Sequence, residues 1–560
     1  MNIRLLRIGA FAMVSLIAFA GCGGSTKTPG GGGGTNPGGS GNPSTVNVLT
    51  YHNDNARTGQ NLNETILTPA NVASATFGKL GTMPVTTNVD AEPLYASNLT
   101  INGASHNVVF VATEADIVYA FDADTFAQLW STPVTEGEST AGEVDGCTQV
   151  QPTIGVTATP VIDLNAGAHG TIFLVAMTRD SNGNYHQRLH ALDLTTGEEQ
   201  PGSPVAITAT YTAPGSGTQL TFNPMQYKER AGLLLINGTI YLAWASHCDV
   251  DPYQGWMMAY SESSLQQTAV LNITPNGSRG AIWMGNSAMA ADSSGNIYFL
   301  VANGTFGDGS NNPPLNGSGF PSNANYGNAF MKVSTANNTL SVEDYFAMFD
   351  ANSESNQDED LGSGGAIVLP DLKDATGATH HLAVGAGKDQ YVYVVNRDSM
   401  GKYNPSNDKA VYQKLDDPNG NATGTPALGG GVFSMPAYFN NEVYYGASND
   451  AVRAFPITNA QLATQSAFQT SASFGHGGCT PGISANGASN GIVWCIDAQS
   501  NGKLYAFNAT NLSELYDSSQ AGSRDEFPDN SSDKFVTPLI ANGKVYVGTP
   551  SGVVVFGLLN

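Results

Sequence analysis

The run Asp358-Glu359-Asp360, inside "FDANSESNQDEDLG", sets three carboxylates side by side just ahead of an apolar strand near Gly364. Adjacent carboxylates with Asn and backbone carbonyls nearby are the oxygen ligands a hard cation takes, which makes calcium the candidate ion. Arg230, in "QYKERAGLLL", stands at the start of another apolar strand. It is the side chain best placed to meet a carboxylate, whether from a ligand or from an acidic rim. His247 and Asp249 in "WASHCDVD", and His476 in "FGHGGC", fall in loop segments and are the remaining candidates for ligand contact. A solvent-facing or locally bonded histidine is the commoner outcome at such positions. Neither an H-E-x-x-H helix nor a P-loop occurs, and no catalytic residue is assigned.

These residues need elements to place them, and the elements repeat. "VYAFDADTFAQLW" from Val118 returns as "LYAFNATNLSELY" from Leu504, with weaker copies from Leu189, Met257, Phe330, Val392, Val452 and Val553. Each copy follows an apolar strand such as "NVVFVAT" or "KVYVGT", and before that comes another, such as "ATPVIDL" or "VTPLIAN". Eight units of up to four antiparallel strands result, and periods of this length mean a propeller or a solenoid before separate domains. The last unit has no fourth strand after "GVVVFGL", while an unclaimed strand, "FGKLGTMPVTT", precedes the first. If that strand closes the last unit, the array is a ring. The predicted fold is all-β, a single eight-bladed propeller over 47–560. In such a ring the second-to-third-strand loops and the blade-to-blade crossovers share one face, where every candidate above should meet. More than a third of the 46 acidic residues fall in a few of those loops, so that face is expected to be negative and to gather cations. Arg57, ahead of the first blade, is expected to pin the N-terminal segment.

The phrases "AFDADTFAQLW" and "ALDLTTGEEQ" resemble the A-x-D-x-x-T-G-x-x-x-W repeat of the pyrroloquinoline quinone (PQQ)-type propellers, the quinoprotein alcohol dehydrogenase-like superfamily. The resemblance implies the fold. Dehydrogenases of this superfamily hold PQQ between a Trp floor and a ring made by two adjacent cysteines, beside a calcium ion bound by Glu, Asn and Asp. Here Cys22, Cys147, Cys248, Cys479 and Cys495 include no adjacent pair, and no C-x-x-C-H haem segment is present. Trp244, Trp256, Trp283 and Trp494 lie in or beside strands, where blade packing is the expected role. The expectation is therefore a non-catalytic binding or scaffold propeller, taking a protein, glycan or small ligand on its acidic loop face. A PQQ- and calcium-dependent dehydrogenase is the alternative.

The N-terminus "MNIRLLRIGAFAMVSLIAFAGC" reads as a secretory signal, with Arg4 and Arg7 before a short apolar run. "FAGC" resembles the lipobox of bacterial lipoproteins, which makes residues 1–22 a signal ending at an acylated Cys22. The Gly/Pro/Ser/Thr-rich segment 23–46 reads as a flexible tether. The expected location is the bacterial cell envelope, lipid-anchored at the outer membrane or cell surface, or secreted. In an oxidising compartment the other cysteines should pair. Cys479 and Cys495 lie about equally far from the "NGASN" turn and are the first pair expected, with Cys147 and Cys248 the second. With 22 basic against 46 acidic residues the net charge is −24, which excludes nucleic acid as a partner. The protein is expected to act as a monomer, with an envelope protein or glycan as the candidate partner.

Overall fold

The computed structural model describes residues 46–415, 424–498, 502–528 and 533–559. Cys22 and the tether lie outside the described residues, apart from Val46. Eight antiparallel sheets follow one another along the chain. Blade 1 is built from Leu94–Ile101, Ala104–Ala112, Ile117–Asp122 and Gln128–Pro133, each strand paired with the next. The same order recurs through blade 7, whose strands are Gly482–Asn486, Ser489–Asp497, Lys503–Asn508 and Glu514–Asp517. Second strands such as Thr171–Arg179 are buried at all but the last residue. Neighbouring blades cover both of their faces, so these strands read as unbroken apolar runs rather than alternating ones.

Blade 8 takes Leu539–Ala541, Lys544–Thr549 and Gly552–Leu558 from the end of the chain and its fourth strand, Phe77–Pro84, from the beginning. The expected closure therefore forms, with Phe77 opposite Leu558 and Met83 opposite Val553. Phe77 is fully buried against Trp494 and Tyr516 of blade 7, at ring-centroid distances of 5.4 and 5.0 Å. The repeated phrase is a third strand turning into a fourth, and its closing aromatic reaches the next blade. Trp130 donates its indole N–H to the Leu194 carbonyl of blade 2 at 3.0 Å. Gly197 lies beneath that ring at φ +72, where a Cβ would come within 2.6 Å of it.

A second closure runs along the axis, and the sequence showed only Arg57 of it. From Val48 to Asn61 the chain winds past the inner strands of all eight blades in order. Val48 exchanges backbone hydrogen bonds with Tyr95 of blade 1, and the Leu49 carbonyl accepts Ile162 N–H of blade 2. Arg57 donates from Nη2 to Leu233 O of blade 3 and from Nε to Met289 O of blade 4. The carbonyls of Ala56, Thr58 and Gly59 accept from Val368, Tyr438 and Ile483 of blades 5, 6 and 7. Asn61 Nδ2 donates to Ile540 O of blade 8 at 2.9 Å. This girdle gives the otherwise unpaired inner edges of the sheets their hydrogen bonds.

Glu92 is buried in the girdle, where its Oε2 accepts His52 N–H at 2.8 Å. Burial pushes its pKa up to about 8, against the His52 hydrogen bond and the charge of Arg57. The acid is thus protonated in the folded protein at neutral pH and ionised in the unfolded chain. Its contribution to stability is complete below the ordinary value of 4.5 and fades as pH rises through about 8. Tm is expected to fall between pH 5 and 8, and Glu92→Gln to flatten that slope. Parallel slopes for the two proteins would contradict this reading.

Candidate functional site

The segments leading into blades 3 to 8 each deliver a side chain to the axis shortly before the inner strand. Arg230 comes from blade 3, Trp283 from blade 4, Asp360 from blade 5, Phe433 from blade 6, His476 from blade 7 and Phe535 from blade 8. Together with Gln149, Asp249, Asp358, Lys388 and Lys534 they line a cavity of about 310 Å³ on the crossover face. A smaller cavity of about 130 Å³ adjoins it through Arg230, Lys534 and Phe535.

Arg230 is 4% exposed, and its Nε donates to Asn286 Oδ1 at 2.6 Å. Gly285, at φ +54, makes that contact possible by turning the chain where any Cβ would collide with the Phe433 carbonyl. The guanidinium lies over Trp283 and Phe535, 5.7 and 5.5 Å from the ring centroids. Among the described residues nothing hydrogen-bonds its terminal nitrogens; the side chain lines both cavities and feels the charges of Asp90, Glu143 and Glu114. Phe433 stacks on Phe535 at 6.1 Å and meets His476 at 5.2 Å. One wall is thus an aromatic cup holding a cation with hydrogen-bond donors to spare, an arrangement suited to a planar anion.

The acidic part of the lining adjoins this cup and is already paired. Lys388 Nζ lies 2.8 Å from Asp358 Oδ1 and 2.7 Å from Asp360 Oδ1. Trp283 Nε1 donates to Asp360 Oδ2 at 2.9 Å. Burial pushes Asp360 up, opposed by Lys388, while Lys388 is held up by the two acids despite its own burial. Asp358 reaches this position because it ends the short helix Ala351–Gln357 in a left-handed turn, φ 62. Glu359 is exposed and lies off the cavity, so the three carboxylates do not converge.

His247 is not in the cavity. It is fully buried, with Nδ1 2.6 Å from Glu143 Oε2, and Glu143 also takes Lys228 at 2.7 Å. Burial alone would raise Glu143, but His247 and Lys228 hold it down to about 2. Disulfides join Cys147 to Cys248 and Cys479 to Cys495. The first staples the blade 1–2 crossover, which carries Glu143 and Gln149, to the loop carrying His247 and Asp249. Asp249 does line the cavity and accepts the Tyr253 hydroxyl at 2.7 Å. The acidic face is weaker than its sequence suggested, because Glu114, Asp116, Glu143 and Asp525 turn inward and are buried.

Trp283 is a cavity residue rather than blade packing, and Lys388, Phe433 and Phe535 went unnoticed in the sequence. Aligning the eight units on their inner strands would have found the aromatics, since each stands a few residues ahead of one, whereas Lys388 lies between the second and third strands of blade 5. Gly487-Ala-Ser489-Asn-Gly491 matches the G-x-S-x-G pattern, but the structure makes it a hairpin between two strands of blade 7. The strand-to-helix turn that exposes a nucleophile is not formed there.

The fold raises the question of quinone and calcium. The position beside Asp358 and Asp360 is filled by the Lys388 ammonium, Arg230 adds a second cation, and among the described residues Asp249 is the cavity carboxylate without an ion pair. The disulfide at the rim joins residues 101 apart in sequence instead of neighbours. These donors do not fit a divalent cation beside a quinone, and no redox step is derived for them.

No protein-family model matches the sequence, and comparison with curated proteins gives no match. Among solved structures, quinohemoprotein alcohol dehydrogenase from Comamonas testosteroni superposes with a TM-score of 0.58 at 13% identity, covering 91% of this chain and 80% of its own. The quinohemoprotein alcohol dehydrogenase ADHIIG from Pseudomonas putida HK5 gives 0.57 at 12%, with the same coverage. A europium-containing methanol dehydrogenase gives 0.56 at 12%, covering 91% of this chain and 98% of its own. At such identities the likeness is one of fold. By its fold, the chain is an eight-bladed β-propeller, the architecture it shares with these dehydrogenases.

Proposed function

We propose that this protein is a non-catalytic binding propeller of the bacterial cell envelope, whose axial cavity receives a small planar anion. The observation that carries this reading is the buried Arg230, with free terminal nitrogens between two aromatic rings. A carboxylate there gains charge-assisted hydrogen bonds, and a flat ligand body gains the aromatic walls.

The girdle supports a direction of presentation. Val48 pairs antiparallel with Tyr95, and Ser97 N–H donates to Asn47 Oδ1, so the chain arrives from the Ile101 end of that inner strand. That end is the hairpin face, opposite the cavity.

Calorimetric titration of the mature protein with an aromatic dicarboxylate, and with PQQ with and without calcium, tests the reading. Binding is expected without calcium. Arg230→Met is expected to weaken it about 10- to 100-fold, the loss of one to two charge-assisted hydrogen bonds of about 1.5–3 kcal/mol. Calcium-dependent oxidation of an alcohol with an artificial acceptor would instead establish the dehydrogenase alternative.

A further inference from the structure

A second cluster lies away from the cavity, where the crossover from blade 1 meets the outer half of blade 2. His190 is on the third strand of blade 2, Tyr185–Asp193, and is completely buried. Its Nδ1 is 2.6 Å from Glu199 Oε1, while Glu199 Oε2 accepts the Ser203 hydroxyl. Glu136 enters from the crossover, three residues beyond the strand Gln128–Pro133. One ring nitrogen of His190 and one carboxylate oxygen from each glutamate lie within 4.8 Å of one another. The His190 Nε2 is buried and has no hydrogen-bond partner among the described residues. The imidazole is buried and its Nδ1 faces Glu199, so an ion here would take the place of the Nδ1 proton between that nitrogen and the two carboxylates.

From this geometry we infer a metal site formed by Glu136, His190 and Glu199, selective for a borderline divalent cation such as zinc. An imidazole nitrogen and two carboxylate oxygens match the ligands zinc takes at 2.0–2.2 Å, with water completing the shell. Calcium is disfavoured, because it wants six to eight oxygens and one donor here is nitrogen. The neighbouring His186 is already committed, with both oxygens of Glu138 at 2.9 Å from its Nδ1 and Arg188 on the same carboxylate. The ion would fasten the start of the crossover that goes on to carry Glu143, Cys147 and the cavity residue Gln149. The metal and the Cys147–Cys248 bridge would then hold that wall of the cavity at two points.

The test is zinc calorimetry, with cobalt absorption as a spectroscopic readout, on metal-stripped mature protein. One site of micromolar or tighter affinity is expected, with Tm raised by zinc and unchanged by calcium. Glu136 is exposed, so Glu136→Gln should leave the metal-free Tm unchanged while weakening zinc at least 10-fold. His190→Gln should remove the nitrogen-to-cobalt signature. His381, which is exposed beside Asp398 and Asp371, serves as the control, and His381→Gln should bind zinc like the parent. The inference is overturned if zinc binds no tighter than about 100 µM. It is equally overturned if Glu136→Gln and His190→Gln both bind as the parent does, or if His381→Gln alone abolishes binding.

Discussion

A chain truncated to begin at Asn88 is expected not to form the ring at all. It would lack the fourth strand of blade 8, leaving Gly552–Leu558 as an open apolar edge of the kind that aggregates. It would also lack the girdle from Val48 to Asn61, which supplies hydrogen bonds to the inner strands of all eight blades. An unpaired buried backbone group costs about 1–3 kcal/mol, so losing this set exceeds the 5–15 kcal/mol by which folded proteins are ordinarily stable. Insoluble protein, or a gradual melt without a cooperative transition, is the expected result. Removing residues 23–43 instead should leave Tm unchanged, because that composition cannot contribute a packed core. If the two truncations melt alike, neither closure holds the ring.

Arg57→Leu is expected to cost about 4 kcal/mol or more, measured as a shift in urea midpoint at constant slope. Arg57 is completely buried and serves five acceptors at once: Met289 O, Leu233 O, Tyr51 O, Thr50 Oγ1 and, more distantly, Asp54 O. Leucine fills part of the volume but leaves four carbonyls and a hydroxyl without this donor. Arg57→Lys should recover little of the loss, since one ammonium cannot span the positions that a planar guanidinium reaches. A cost below about 1 kcal/mol would mean that the girdle rests passively on the blades.

The ring was legible in the sequence because both halves of the closure are apolar strands with a counting rule attached. Eight units with one fourth strand missing require a donor, and Phe77–Pro84 was the one run to spare. The girdle was not legible, because "TYHNDNARTGQN" has neither apolar periodicity nor strand propensity. Its structure comes from partners supplied by eight distant strands. At the cavity, Arg230, Asp249, Asp358, Asp360 and His476 were found because charge and loop position single them out. His247 lies outside the cavity, bonded as loop histidines commonly are, but its partner is a carboxylate 104 residues earlier that no local signal reveals. Trp283, Phe433 and Phe535 were passed over because an aromatic ahead of a strand looks the same whether it packs between blades or faces the axis. Glu359 was included because adjacent residues were taken to share a direction, whereas the left-handed turn at Asp358 separates them.

Whether the cavity is a binding site for an anion or a cofactor site for redox chemistry turns on two cations, Arg230 and Lys388. A crystal structure of the mature protein soaked with PQQ and calcium together addresses both in one experiment. The expected result is ligand carboxylate density on the terminal nitrogens of Arg230, with Lys388 still between Asp358 and Asp360 and no calcium beside them. Calcium bound by Asp358 or Asp360, with Lys388 displaced and the quinone lying over Trp283, would contradict the binding reading and make the site that of a dehydrogenase.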